Sequence, residues 1–254
     1  MSWDPAQYGL FLDQRTRPAA DLLAHIRLEA PARIADLGCG PGNSTALLAK
    51  RWPKAAITGI DSSQAMLEKA RESAPDIDWQ CADIAQWRAD PPFALIYSNA
   101  LLHWLDNHAV LFPRLLSSVA KGGALAVQMP RNFDAPSHRI IAAVAQSAPF
   151  RAKLSGRLRE APVADPDYYY QLLAADCHLI DMWETSYLHV LEGEDAVLNW
   201  IKGTALVPLL AALDAGEQND FICELAARLA AAYPRREDGK TLLPFKRLFF
   251  IAYR

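Results

Sequence analysis

The stretch "ADLGCGPGNS", Ala35 to Ser44, sets three glycines at alternate positions between an apolar run and a run of helix formers. Gly38, Gly40 and Gly42 can take a positive φ and leave room for something to lie against the main chain. On one side "RIADL" (33–37) reads as a short buried strand; on the other, "NSTALLAKRW" (43–52) reads as a helix. The glycines therefore stand where a strand hands over to a helix, which is the ligand crevice of open α/β sheets. The helix start adds unpaired N–H groups and a partial positive charge. A dinucleotide fingerprint needs its third glycine at position 43, where the chain has Asn43, so the spacing speaks against a pyrophosphate ligand. Taken alone, the loop also suits a tight turn with no ligand at all.

Working outward, the same alternation continues. "AAITGI" (55–60), "FALIYS" (93–98) and "ALAVQM" (124–129) read as strands, and "SSQAMLEKARESA" (62–74) reads as a helix with Ser62 or Ser63 as its N-cap. "NHAVLFPRLLSSVA" (107–120) is expected to be helical, kinked or restarted at Pro113 and ended by Gly122-Gly123. Strands alternating with amphipathic helices are the signature of β-α-β units and a parallel sheet. Farther on, "CHLIDMWETSYLHVL" (177–191) reads as a long strand and "KRLFFIAYR" (246–254) as its terminal partner, with helices over 193–233 between them. That insert is expected to cap the substrate side as a lid, being short and without a core of its own.

Composition narrows the class. With 254 residues, 52% of them hydrophobic and 22% charged, the chain can bury a full core. Twenty-six basic against 29 acidic residues give a formal charge of −3, and no basic block could track a phosphate backbone, so nucleic acid is excluded as the expected partner. No obligate protein partner is signalled either. "MSWDPAQYGL" has neither the cationic start nor the apolar run of a signal peptide, and no apolar stretch reaches the ~18 residues that span a bilayer, so a cytoplasmic protein is expected. Cys39, Cys81, Cys177 and Cys223 form no C-x-x-C pair; they signal neither a metal site nor a disulfide framework and are each expected to be small buried hydrophobes.

Acids accompany the glycines. Asp36 precedes the loop, and Asp61 closes the second strand in "GIDSS", where a carboxylate can accept from both hydroxyls of a ribose. Asp83 in "CADIAQW" closes a third strand, with Ile84 beside it as a surface for an adenine face. Either acid alone also suits a helix cap.

Together "ADLGCGPGNS", "GIDSS", "CADI" and "IYSNALLHW" resemble the class I S-adenosylmethionine-dependent methyltransferases over about residues 30–130. The resemblance implies an α/β, Rossmann-like, mostly parallel seven-stranded sheet with an antiparallel last strand and a helical lid insertion. It implies one domain, residues 1–254, with an N-terminal lid (1–30), a cofactor-binding core (31–130) and the cap (193–233). It also implies S-adenosylmethionine as cofactor, its methionine end wrapped by Asp36, Gly38, Gly40 and Gly42. The ribose falls to Asp61 with Ser62 beside it, the adenine to Asp83 and Ile84, and the ammonium to the main chain at Asn99.

The likeness extends along the whole chain. "MSWDPAQYGLFLDQRTRPAADLLAHI", "ADLGCGPGNSTALLAKRWPKAAITGIDSSQAM", "GALAVQMPRNF" and "LLPFKRLFFIAYR" resemble the branch of that family that esterifies the tricarboxylic acid trans-aconitate. What this implies is methyl transfer to one carboxylate, giving a monomethyl ester. Transfer to another small or carrier-bound acid, or cofactor binding without catalysis, are the alternatives.

A tricarboxylate needs cationic forks around the crevice. Arg15 and Arg17 in "DQRTRP" precede a helix expected to start near Pro18, and suit either a solvated surface or a lid turned inward. Arg131 follows "QMP" at a strand's carboxyl end and is expected to face ligand. Lys202, Lys246 and Arg247 complete the set; in the last strand alternation turns one of the latter pair to solvent, and both suit a solvated reading. His103 and Trp104 follow the fourth strand. His103 suits a hydrogen-bond donor to a substrate carboxylate or a structural imidazole, and Trp104 a pocket wall. Tyr8, Tyr168, Tyr169 and Trp200 offer hydroxyl or indole donors, though "DYYYQLL" and "AVLNWIKG" also fit helices whose aromatics pack.

Overall fold

The structure is a computed structural model that describes residues 12–158 and 162–254, with side chains from Thr16 onward. Tyr8 and the Arg15 side chain lie outside the described residues.

Along the chain run α1 (Leu12–His25), β1 (Arg33–Leu37), α2 (Asn43–Arg51), β2 (Ala56–Asp61), α3 (Gln64–Ser73), β3 (Asp78–Cys81) and β4 (Phe93–Asn99). Then come α4 (His108–Ser117), β5 (Val119–Pro130), α5 (Pro136–Ala145), α6 (Arg151–Leu154), α7 (Pro166–Leu173) and β6 (Leu179–Leu191). The chain ends with α8 (Ala196–Lys202), α9 (Val207–Leu210), α10 (Ala215–Ala232) and β7 (Thr241–Tyr253).

The seven strands of the described residues form one sheet in the order β3-β2-β1-β4-β5-β7-β6. β1 to β5 pair in parallel, and β7 runs antiparallel to β5. The strand order reverses beside β1, so the crevice between the β1 and β4 carboxyl ends opens at the glycine loop. Ile34, Ala35 and Leu37 are completely buried, as expected of a strand covered on both faces. α3 begins where Ser63 Oγ accepts from Met66 N at 3.4 Å, and it buries Met66, Leu67 and Ala70 on one side.

Two expectations need correction. The helix after β4 runs through Pro113 without interruption and stops at Ser117, and β5 has begun by Val119. Val119 pairs with Phe93 while Ala124 pairs with Leu95, so the glycine pair lies inside the strand as an irregularity, not at a helix end. Gly123 passes so close to β4 that a Cβ there would stand 2.5 Å from the Ala94 carbonyl oxygen. The cysteines also differ: all four are free, but only Cys39 is buried, Cys177 is half-buried, and Cys81 and Cys223 are exposed.

The chain divides into two compact units. Arg15–Pro130, Val163–Thr185 and Arg247–Arg254 form one, which carries the glycine loop. Arg131–Pro162 and Ser186–Lys246 belong to the other. In this second unit α10, opened by an Asp214–Glu217 capping box, lays Phe221, Leu225 and Leu229 against a core that includes Ile141, Val144, Phe150, Leu154 and Trp200. The helices of 193–233 pack on this core. They share it with residues 141–154, a stretch whose helices the sequence reading passed over. No helix among the described residues is long and apolar enough to cross a membrane.

Candidate active site

The glycine loop is stitched to β2: Gly38 and Cys39 donate their N–H groups to Ile60 O at 2.7 and 3.2 Å. All three glycines have positive φ, but for different reasons. A Cβ on Gly38 would meet Leu101 at 2.6 Å, and one on Gly42 would meet the Trp79 ring at 2.9 Å. Trp79 itself lies over Gly59 of β2, where a Cβ would be 2.3 Å from the indole. Packing excludes side chains at those positions. Only Gly40 of the three faces open space, with nothing within 4 Å of its would-be Cβ.

Asp61 joins this loop to the next helix. Its Oδ2 accepts from Gly40 N at 2.9 Å and its Oδ1 from Ser63 N at 2.8 Å. Each carboxylate oxygen keeps further acceptor capacity. Asp83 is exposed, and its Oδ1 accepts from Ala85 N at 2.9 Å, the cap geometry that its sequence position also suited. Arg114 of α4 donates to the Ile84 and Ala85 carbonyls and so fixes this turn, with Ile84 itself buried. Ser62 is exposed next to Asp61.

Asp36 has no solvent exposure. Its Oδ2 accepts from Ser44 Oγ at 2.7 Å and Thr45 Oγ1 at 2.6 Å, while Oδ1 has no partner among the described residues. Burial pushes its pKa up to about 6 against the pull of the Thr45 and Ser44 hydroxyls, and the Asp61 charge adds to the rise. At the end of β4, Asn99 Oδ1 is likewise buried without a partner among the described residues. The loop thus lies beside two buried acceptor atoms, which suit a ligand bearing positive charge.

Sequence comparison now bears on this geometry. A methyltransferase-domain family model matches residues 34–123, the span that carries the loop and all three acids. The trans-aconitate 2-methyltransferase of Methylobacterium nodulans is 50% identical over 99% of this chain and 98% of its own length. That of an Azoarcus species is 45% identical over 100% and 99%. The chain belongs to the trans-aconitate 2-methyltransferase family. Among solved structures, the YcgJ protein of Bacillus is similar over 99% of both chains with a TM-score of 0.57 at 13% identity, a likeness that speaks for the fold alone.

In this member of the trans-aconitate 2-methyltransferase family, a 3-10 turn (Leu102–Trp104) follows β4. It carries His103, 7% exposed, whose ring lies 4.9 Å from that of half-buried Trp104. The turn is held from below by His108. A carbonyl only accepts, so His108 Nε2 carries the proton donated to Leu102 O at 3.0 Å. In the neutral ring Nδ1 then accepts from Tyr169 Oη at 2.9 Å, and that oxygen accepts from Ala164 N at 3.1 Å. Tyr169 is therefore a structural residue. Tyr168, 36% exposed, meets its ring edge-on at 5.4 Å.

The candidate cations separate. The Arg17 side chain is 72% exposed and reaches Asp21 one turn on, the solvated alternative. Arg131 is half-buried, and its main-chain N–H donates to Lys246 O at 2.9 Å. Trp200 is buried against His189 and Phe245 in the core of its unit, where packing accounts for it. Arg247 overturns the solvated reading: it is 4% exposed and donates from Nη1 to Gln128 Oε1 at 3.4 Å. The signal was present in the sequence. "RLFFIAY" is apolar at both parities after Arg247, so that strand is covered on both faces and its polar member goes inside.

Proposed function

We propose that this protein transfers a methyl group from S-adenosylmethionine to one carboxylate oxygen of trans-aconitate, releasing S-adenosylhomocysteine and the monomethyl ester. The observation that carries the reading is the Gly40–Asp61 hydrogen bond, which sets a carboxylate with spare acceptor capacity beside the one open glycine of the loop. The near full-length identity to proteins named for this reaction supports the choice of acceptor.

When bound, the cofactor supplies a methyl group on a cationic sulfur. The residues fit such a molecule, since the acceptors Asp36 Oδ1 and Asn99 Oδ1, without a partner among the described residues, match a ligand with an ammonium and a sulfonium. Asp61 is assigned to the ribose hydroxyls, with Ser62 beside it. Asp83 is assigned to the adenine amino group, with Ile84 against the ring. Gly38 and Gly42 keep the loop in shape, and Gly40 leaves room for the methionine tail. A carboxylic acid with a pKa near ~4 is already an anion at neutral pH, so the chain has no proton to remove. Its work is to hold the acceptor in line and to keep water out. His103 is assigned as a hydrogen-bond donor to an acceptor carboxylate and Trp104 as a wall.

The test is to incubate the purified protein with S-adenosylmethionine and a panel of mono-, di- and tricarboxylic acids, identifying any ester by NMR. A monomethyl ester of trans-aconitate, formed faster than any other, is expected. Turnover of a different acid with none of trans-aconitate would refute the reading.

A further inference from the structure

The proposed function assigns Asp83 to the base of the cofactor, yet this acid is exposed on the turn that follows β3, where a side chain is ordinarily at liberty to rotate. Hydrogen bonds around the turn remove that liberty. Asp83 O accepts from Gln86 N at 3.1 Å and from Trp87 N at 3.0 Å, and Asp83 Oδ1 accepts from Ala85 N at 2.9 Å. That N–H belongs to the same peptide group as Ile84 O, which accepts from Arg114 Nη2 at 3.1 Å. Arg114 Nη1 donates to the next carbonyl, Ala85 O. The peptide between Ile84 and Ala85 is therefore held at both ends, by a guanidinium at its oxygen and by the Asp83 carboxylate at its nitrogen.

A peptide group is planar, so fixing its oxygen fixes the direction of its N–H, and with it the carboxylate oxygen that accepts from that N–H. Oδ1 of Asp83 is engaged by the turn, and Oδ2 keeps its capacity to accept from a ligand. Adenine carries an amino group where hypoxanthine carries an oxygen. A carboxylate held in one direction accepts from the first and repels the second. The guanidinium and the acid also sense each other: burial and the charge on Arg88 pull the Arg114 pKa down, and the Asp83 charge opposes them. Half-buried Arg114 comes from α4, thirty residues along the chain from Ile84. The same end of α4 holds the loop a second time, because Ser118 Oγ accepts from Ala89 N at 3.3 Å. The loop thus has an attachment to α4 that does not depend on Arg114.

We infer that Arg114 is a positioning residue that presents the Asp83 carboxylate to the cofactor's base, and that through Asp83 it makes the site prefer a base with an amino group to one with an oxo group. The inference rests on the methyl-transfer reading, in which Asp83 meets the adenine. An arginine that merely ties α4 to the loop is the structural alternative, and the two separate in one set of measurements.

The variants are Arg114→Met and Arg114→Lys in the full chain, each alone and combined with Asp83→Ala. The measurements are calorimetric affinity for S-adenosylhomocysteine and for its hypoxanthine counterpart, S-inosylhomocysteine, together with KM for trans-aconitate at saturating S-adenosylmethionine and thermal unfolding. The wild type is expected to bind S-adenosylhomocysteine about 10- to 100-fold more tightly than S-inosylhomocysteine. Arg114→Met should weaken S-adenosylhomocysteine by about 5- to 20-fold and leave both S-inosylhomocysteine affinity and KM for trans-aconitate within about twofold. Arg114→Lys keeps a cation that can reach one of the two carbonyls, so it should recover part of the preference. With Asp83→Ala already in place, Arg114→Met should cost no further affinity, because Arg114 acts through Asp83. A structural role predicts instead that the two ligands weaken together, or that only the melting temperature falls, and either result overturns the inference. So does a further loss of affinity in the double variant. Failure of both Arg114 variants to fold overturns it too, since the fold itself would then require the cation. If the wild type prefers the adenine ligand and the folded Arg114 variants keep that preference, the role of Arg114 alone is wrong. If the wild type binds neither ligand, or binds both equally, the assignment of Asp83 to the adenine fails and the role of Arg114 fails with it.

Discussion

Asp36→Asn should make the ligand-free protein more stable at neutral pH. Asp36 is completely buried, one oxygen accepts from Ser44 and Thr45, and the other has no partner among the described residues. Desolvation raises its pKa from 3.8 to about 6, so the folded state holds the Asp36 proton more tightly than the unfolded state does. Stability from this group is therefore greatest below pH 3.8, declines as pH rises, and reaches a constant cost above about pH 6. The gap between the two pKa values corresponds to about 3 kcal/mol. An Asn side chain of the same shape removes that cost. Its amide oxygen can still accept from the two hydroxyls, but its NH2 falls where Oδ1 was and leaves a buried donor unpaired, a loss of about 1–2 kcal/mol. The net gain near pH 7.5 is then about 1–2 kcal/mol, or about 2–8 °C in Tm for a chain of this size. Thermal unfolding of both proteins without ligand, followed by circular dichroism between about pH 4 and 8, gives the comparison. The variant should be the less stable protein at about pH 4 and the more stable one above about pH 6.5. A stability difference that stays constant across that range would refute the reasoning, because it would mean that Asp36 does not titrate between the folded and unfolded states as its burial requires.

Gly40→Ala should lower affinity for S-adenosylmethionine at a cost in stability of about 1–2 kcal/mol, the strain of its positive φ, since its Cβ points into open space. Gly38→Ala should be the more destabilised, because its Cβ collides with Leu101; equal melting temperatures for the two would contradict the packing described. Asp61→Ala should weaken cofactor binding by roughly 1.5–3 kcal/mol per charged hydrogen bond lost, read by calorimetric titration. Unchanged affinity in a folded variant would remove the ribose assignment. The kcat/KM for trans-aconitate should be flat from about pH 7 to 9 and fall below about pH 6 as Asp36 takes up its proton. A steep rise with pH that vanishes in His103→Asn would instead require a general base.

The strand-loop-helix at residues 33–52, the succession of parallel strands and the acid at the end of β2 could all be read from the chain. Such features depend on local turn chemistry and on hydrophobic period, and both are written over a few neighbouring residues. What each glycine is for could not be read. Gly38 and Gly42 are small because Leu101 and Trp79 arrive from distant parts of the chain, whereas Gly40 faces open space, and "GCGPG" spells the three alike. The burial of Arg247 could be foreseen from the apolar run at both parities after it, but not its contact with Gln128, which reaches it from β5 only in the folded sheet. The same holds for Tyr169, which becomes structural only because folding brings His108 and Ala164 to its hydroxyl. The sequence by itself determined the order of elements and the chemistry at the strand ends, since those follow from short-range sterics and periodicity. Which polar groups lose water, and which of those are left with an unfilled hydrogen bond, was decided only by tertiary packing, because desolvation depends on everything that surrounds a side chain and not on its neighbours in the chain.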